Sequence, residues 1–177
     1  NNVDKIVIDG IELKPNKDKE FNYDIFDTDT NATLTSVTLS NEYAVHNVML
    51  PQKLTYNEKY QFMVTAENGD VAIYTVNLVR NKTRELKLAN IEVNFQEDDD
   101  CEGICTLDKV FNEDTTNYEI YIPNEITSLD DLVVTPKNNL QTYEVIGNSN
   151  LSVGENTIII RVKNSLNETF DYTLTVY

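Results

Sequence analysis

Apolar and polar residues alternate with a period of two along most of this 177-residue chain. Phe170, Tyr172, Leu174 and Val176 fall on one side of a predicted strand, with Asp171, Thr173 and Thr175 on the other. Ala72, Tyr74, Val76 and Leu78 repeat the pattern. Ile158, Ile160 and Val162 alternate with Arg161 and Lys163, and Tyr118, Ile120 and Ile122 with Glu119. Successive strand side chains point to opposite faces, so each segment has one face to bury and one to wet. That is the requirement of antiparallel sheets packed on one side, and two such sheets face to face make a sandwich. Asn68-Gly69-Asp70 marks a hairpin, because Asn and Gly accept positive φ cheaply. Asn164-Ser165-Leu166-Asn167 takes the equivalent place later in the chain and reads as two residues longer. Pro51, Pro123 and Pro136 fall at strand ends, where a missing N–H does least harm. The pattern predicts an all-β protein with six or seven short strands in each half.

The two halves repeat. Glu20-Phe21-Asn22-Tyr23-Asp24-Ile25 is answered by Thr116-Asn117-Tyr118-Glu119-Ile120, and Tyr74-Thr75-Val76 by Tyr172-Thr173-Leu174, with offsets of 118 − 23 = 95 and 172 − 74 = 98. A period near ~100 residues is the size of a whole domain, so the chain reads as two tandem copies, 1–82 and 83–177. The link around Arg80-Asn81-Lys82-Thr83-Arg84-Glu85 holds no Gly or Pro, which predicts domains in restrained contact and an elongated rod. The polar start Asn1-Asn2-Val3-Asp4-Lys5 and the mid-strand end at Tyr177 predict a mature or excised fragment.

Particular segments resemble the bacterial cadherin-like β-sandwich repeat. They are Leu88-Ala89-Asn90-Ile91-Glu92-Val93, then Phe111-Asn112-Glu113-Asp114-Thr115-Thr116-Asn117-Tyr118, then Gly154-Glu155-Asn156-Thr157-Ile158 and the closing Tyr172-Thr173-Leu174-Thr175-Val176. Nearly all of the second copy is covered. The first fits more loosely, with Asn57-Glu58-Lys59 in place of the Gly-Glu-Asn element. The resemblance implies two tandem immunoglobulin-like antiparallel β-sandwich domains. It also implies an extracellular place, on a bacterial cell surface or secreted, beside neighbouring domains of the same parent protein. Such domains often serve as spacers and bring no fixed ligand. Animal cadherins bind calcium at acidic linkers; here Arg80, Lys82 and Arg84 outnumber Glu85, which disfavours linker calcium.

The copies depart from each other at one place. Ile6 to Tyr23 spans 23 − 6 = 17 positions and Ile91 to Tyr118 spans 118 − 91 = 27, so the second copy carries ten extra residues. They include the loop 97–105, with Asp98, Asp99, Asp100 and Glu102 beside Cys101 and Cys105, the chain's two cysteines. Insertions map to loops, and loops carry variable function. The cysteines flank Gly103 at a spacing that suits a disulfide across a hairpin tip. Two cysteines fall short of a zinc site, and the one histidine, His46, belongs to the other copy. The acidic run lacks the alternating Asp-x-Asp-x-Asp-Gly spacing of a one-loop calcium site, so it reads as a solvated tip that blunts edge pairing. No metal or other cofactor is expected.

Composition narrows the partners. The net charge of −16 repels nucleic acid and anionic membrane surfaces, and no apolar run approaches the ~18 residues of a spanning helix. His46 lies in a strand-like segment without a nucleophile motif, and five glycines leave no phosphate-cradling loop. The absence of Trp removes the commonest sugar-stacking ring; Tyr121, predicted outward, is the best remaining contact candidate. The reading is therefore a monomeric, non-enzymatic spacer of a cell-surface protein. Its alternative is an adhesion module whose loop 97–105 takes host or cell-wall glycans or proteins.

Overall fold

The computed structural model describes residues 2–95 and 105–177. Among them the chain is all β, without a helix, and it divides into two compact units, Asn1–Lys82 and Thr83–Tyr177. The first unit has eight strands: β1 (Val3–Ile8), β2 (Ile11–Leu13), β3 (Glu20–Phe26), β4 (Asn31–Leu39), β5 (Val45–His46), β6 (Gln52–Thr55), β7 (Tyr60–Thr65) and β8 (Val71–Lys82). The described part of the second has six: β9 (Leu88–Val93), β10 (Asn117–Ile120), β11 (Leu132–Pro136), β12 (Thr142–Ile146), β13 (Asn156–Lys163) and β14 (Thr169–Val176).

In the first unit, sheet β2-β1-β4-β6 faces sheet β3-β8-β7-β5. Ile6, Ile8 and Leu34 from one and Phe21, Phe62, Val64 and Tyr74 from the other share one buried cluster. The second unit sets the pair β11-β9 against sheet β10-β14-β13-β12, with Leu88, Ile91 and Val134 packed on Tyr118, Ile158, Ile160 and Tyr172. The alternation therefore does in each unit what hydrophobic burial demands: one face of each sheet closes over a shared two-layer core.

The units repeat register by register. Val3↔Leu39, Lys5↔Thr38 and Ile6↔Val37 in β1–β4 recur as Leu88↔Pro136, Asn90↔Thr135 and Ile91↔Val134 in β9–β11, with the irregular step at the same place. Phe62↔Tyr74 and Val64↔Ala72 recur as Ile160↔Tyr172 and Val162↔Phe170, an offset of 172 − 74 = 98 on both strands. The parallel pair β3–β8 sets Phe21 opposite Val76, and the parallel pair β10–β14 sets Tyr118 opposite Leu174.

This register corrects the tyrosine landmark: Tyr118 answers Phe21, whereas Tyr23 lies opposite Leu78 and is only partly buried. Residues two apart share a strand face, so a two-residue slip preserves the inward pattern and misleads a reading by residue type. With 21 − 6 = 15 and 118 − 91 = 27 positions, the insertion between β9 and β10 is 27 − 15 = 12 residues rather than ten. The late hairpins are also equal in length. The Ala66 N–H reaches the Asp70 carbonyl at 2.8 Å, and the Asn164 N–H reaches the Glu168 carbonyl at 3.1 Å. Gly69 (φ 89°) and Asn167 (φ 61°) occupy the same left-handed position, 167 − 69 = 98 residues apart.

Candidate functional site

Asp98, Asp99, Asp100, Cys101 and Glu102, expected at the tip of the inserted loop, lie outside the described residues. Cys105 does not: it is disulfide-bonded, buried, and donates its N–H to the Tyr121 carbonyl at 2.8 Å. On the other side of the insertion, Asn94 donates to the Asp131 carbonyl at 3.1 Å and Phe95 packs on the core.

The segment after Cys105 is held in three further ways. Asp108 pairs with Glu119 through backbone and side chain, both at 2.8 Å. Phe111 stacks on Tyr118 with ring centroids 5.7 Å apart and tilts on Tyr172 at 5.9 Å. Both hydroxyls of that aromatic cluster work on the backbone. Tyr118 Oη accepts from the Asn112 N–H and donates to the Asn112 carbonyl, each at 2.8 Å. Tyr172 Oη accepts from the Leu88 N–H at 3.2 Å and donates to the Glu113 carbonyl at 3.0 Å. Tyr74 plays the matching part in the first unit, accepting from the Val3 N–H at 3.0 Å. A buried hydroxyl thus ties the first strand of each unit to the last, satisfying an N–H that burial would otherwise leave without a partner.

Charge at this end of the second unit is paired. Lys137 reaches Glu113 at 2.5 Å, and Lys87 binds Asp114. Hydrogen bonding to Asp114 raises the Lys87 ammonium above its usual value, and the same contact lowers the Asp114 carboxyl. At Asp108 partial burial pushes the carboxyl up, but the Glu119 N–H and the Lys109 ammonium 2.9 Å away outweigh it, and the net direction is down. These contacts fasten the segment after Cys105 to the rest of the second unit.

Elsewhere the described surface carries shallow depressions of about 160 to 510 Å³, one of them lined by Asn90, Val93, Leu107 and Phe111. Among the described residues, a small depression between Ile122, Pro123, Leu151, Gly154 and Tyr177 has a volume of about 10 Å³, room for one water. No group of three or more His, Cys, Asp or Glu able to hold a metal occurs among the described residues. No described helix is long and apolar enough to cross a membrane. His46 lies on β5, where Nδ1 accepts from the Val48 N–H at 3.2 Å, a turn-fixing role. Tyr121 faces outward, 54% exposed, with its ring stacked on Tyr177 at 5.1 Å.

One set of residues escapes a reading that looks only for inward alternation: Met63, Val71 and Ile73 are apolar at the outward positions of β7 and β8. The signal was the unbroken apolar run Val71-Ala72-Ile73-Tyr74, which leaves no polar face. In comparisons with protein-family models and with curated proteins, the sequence finds no match.

Proposed function

We propose that this chain is a tandem pair of immunoglobulin-like β-sandwich domains of the bacterial cadherin-like kind. Its role is that of a non-enzymatic structural spacer in an extracellular surface protein, joined to neighbouring domains of the same parent. The observation that carries this reading is the parallel pairing of an early strand with the last strand in both units, β3 with β8 and β10 with β14. β3 follows β1 and β2, and β10 follows β9, so tension reaches these pairs once the earlier strands give way and then pulls their two strands in opposite directions along a common axis. The load then falls on all the paired registers together, in shear, instead of peeling them one by one. Seven registers bear it in the first unit and four in the second. A repeated, self-contained, shear-loaded sandwich is the build of a load-bearing spacer.

An adhesion reading has one specific support: the largest length difference between strands shared by the two copies is the insertion between β9 and β10, whose return is fastened by Cys105 and the Phe111 cluster. Binding of the labelled chain to a broad glycan and matrix-protein array, with and without calcium, separates the two. The spacer reading predicts no saturable binding that depends on the loop. Saturable binding to one ligand class, lost when 97–105 is trimmed to the length of the first copy, makes the chain an adhesin.

A further inference from the structure

The sheet β3-β8-β7-β5 buries Phe62, Val64, Ala72 and Tyr74 on its inner face. Its outer face is also apolar at one end. Met63 and Ile73 sit directly opposite each other across β7 and β8, and Thr65 links Val71 on one side to Val45 on the other. Val45, Met63, Val71 and Ile73 are 64, 45, 54 and 55% exposed. Tyr43 and Met49, on the segments either side of β5, are 64 and 84% exposed. Val45, Met63, Thr65, Val71 and Ile73 form one patch across three strands.

The second unit shows that the fold does not require it. At the same registers, 98 residues on, Met63 becomes Arg161, Ile73 becomes Asp171, Thr65 becomes Lys163 and Val71 becomes Thr169. Arg161 grips Asp171 through two hydrogen bonds of 2.9 and 2.8 Å. The same strands in the same pairing thus carry a polar outer face in one unit and an apolar one in the other. A contiguous exposed apolar patch rimmed by polar residues is the mark of a surface that is covered in use.

Its shape and charge describe the cover. The patch is a flat sheet face, which packs best on another sheet face at a spacing of ~10 Å. The segments that carry it, 41–52 and 61–75, hold Glu42, Glu67 and Asp70 and no Lys or Arg, and a cation placed beside them is Lys19, whose carbonyl accepts from the Thr75 N–H at 3.1 Å, so these carboxylates outnumber it three to one around the patch. A second copy would bring carboxylates to carboxylates, on a chain whose net charge is −16.

We propose that this face docks a partner protein presenting an apolar sheet face bordered by lysine or arginine. The test uses the full chain and two cyclic β-hairpin peptides, each with Ile and Val on one face, one with Lys at its margins and the other with Glu. The Lys hairpin is expected to bind saturably, shift the Met63 and Ile73 methyl resonances, and weaken with added salt. The Glu hairpin should bind ~10-fold more weakly. The double substitution Met63→Arg with Ile73→Asp transplants the pair already tolerated in the second unit, so the fold is kept, and it should abolish binding. Three results would overturn the proposal: no methyl shift with either hairpin, equal binding of the two, or binding indifferent to the double substitution. Dimerisation of the chain that the double substitution removes would do so as well, assigning the face to a second copy.

Discussion

Replacing Tyr172 with Phe tests the hydroxyl tie between the first and last strands of the second unit. The ring is fully buried, and Phe keeps its contacts with Phe111 and Phe170, whose centroids lie 5.9 and 5.2 Å away. What is lost is one acceptor for the Leu88 N–H and one donor to the Glu113 carbonyl. Leu88 is itself fully buried, so no water replaces the hydroxyl there. A buried polar group left without a partner costs ~1–3 kcal/mol, so the substitution should cost ~2–4 kcal/mol in all. For a unit of this size that is a fall of ~10–20 °C in the melting temperature. Scanning calorimetry of the full chain reads it directly, with the first unit as an internal reference; Tyr74→Phe should move that other transition instead. Burial also holds the Tyr172 phenol above its ordinary value of 10.0. A proton held more tightly in the folded state contributes stability that is complete below the unfolded pKa and is lost as pH rises through the folded one. The second transition should therefore fall more steeply above pH ~10 in the parent chain than in Tyr172→Phe. A shift of less than ~2 °C at neutral pH, or equal shifts of both transitions, would refute the tie.

Other outcomes follow from the same structure. Gly147 has φ +85°, and an added Cβ would stand 2.7 Å from the Thr157 carbonyl oxygen, so Gly147→Ala should cost ~2–4 kcal/mol in denaturant unfolding of the second unit. Asn164 is buried, accepts from the Leu166 and Glu168 N–H groups and donates to the Arg84 carbonyl; Asn164→Ala should cost ~2–4 kcal/mol by the same assay. The Arg161 contact lowers the Asp171 carboxyl, so this pair's contribution is present above the ordinary carboxylate value and fades as pH falls through the lowered one. The pair is more than a third exposed, so Asp171→Asn should cost under ~1 kcal/mol at pH 7 and nothing at pH ~2. EDTA or added calcium should leave both melting transitions in place; a rise of several degrees that Asp99→Ala with Asp100→Ala abolishes would contradict that.

Much of the architecture was legible because burial imposes a period of two. Ile158, Ile160 and Val162 are all fully buried, as their alternation requires, and Tyr118, Tyr172 and Leu174 join them. The repeat was legible too, but its exact register was not. Phe21 and Tyr23 share a face, and only the pairing of β3 with β8 decides which one answers Tyr118. That pairing is parallel and spans more than fifty residues, so it leaves no local turn signal of the kind that marked Asn68-Gly69-Asp70. Of the expected site, Cys105 could be followed into a buried, bonded position, while the acidic residues lie outside the described residues. The apolar outer patch was missed because an outward Ile73 between inward Ala72 and Tyr74 reads as part of a core strand. Its meaning appears only beside Asp171, its counterpart in the other unit.

Stretching single molecules of the full chain from both ends tests the spacer account most directly. The account predicts two discrete high-force events, each releasing roughly 25–30 nm of chain, the length of ~80–90 extended residues. The second unit, clamped by four parallel registers, should yield before the first, clamped by seven. Featureless extension at low force, or one event releasing the whole chain, would contradict it.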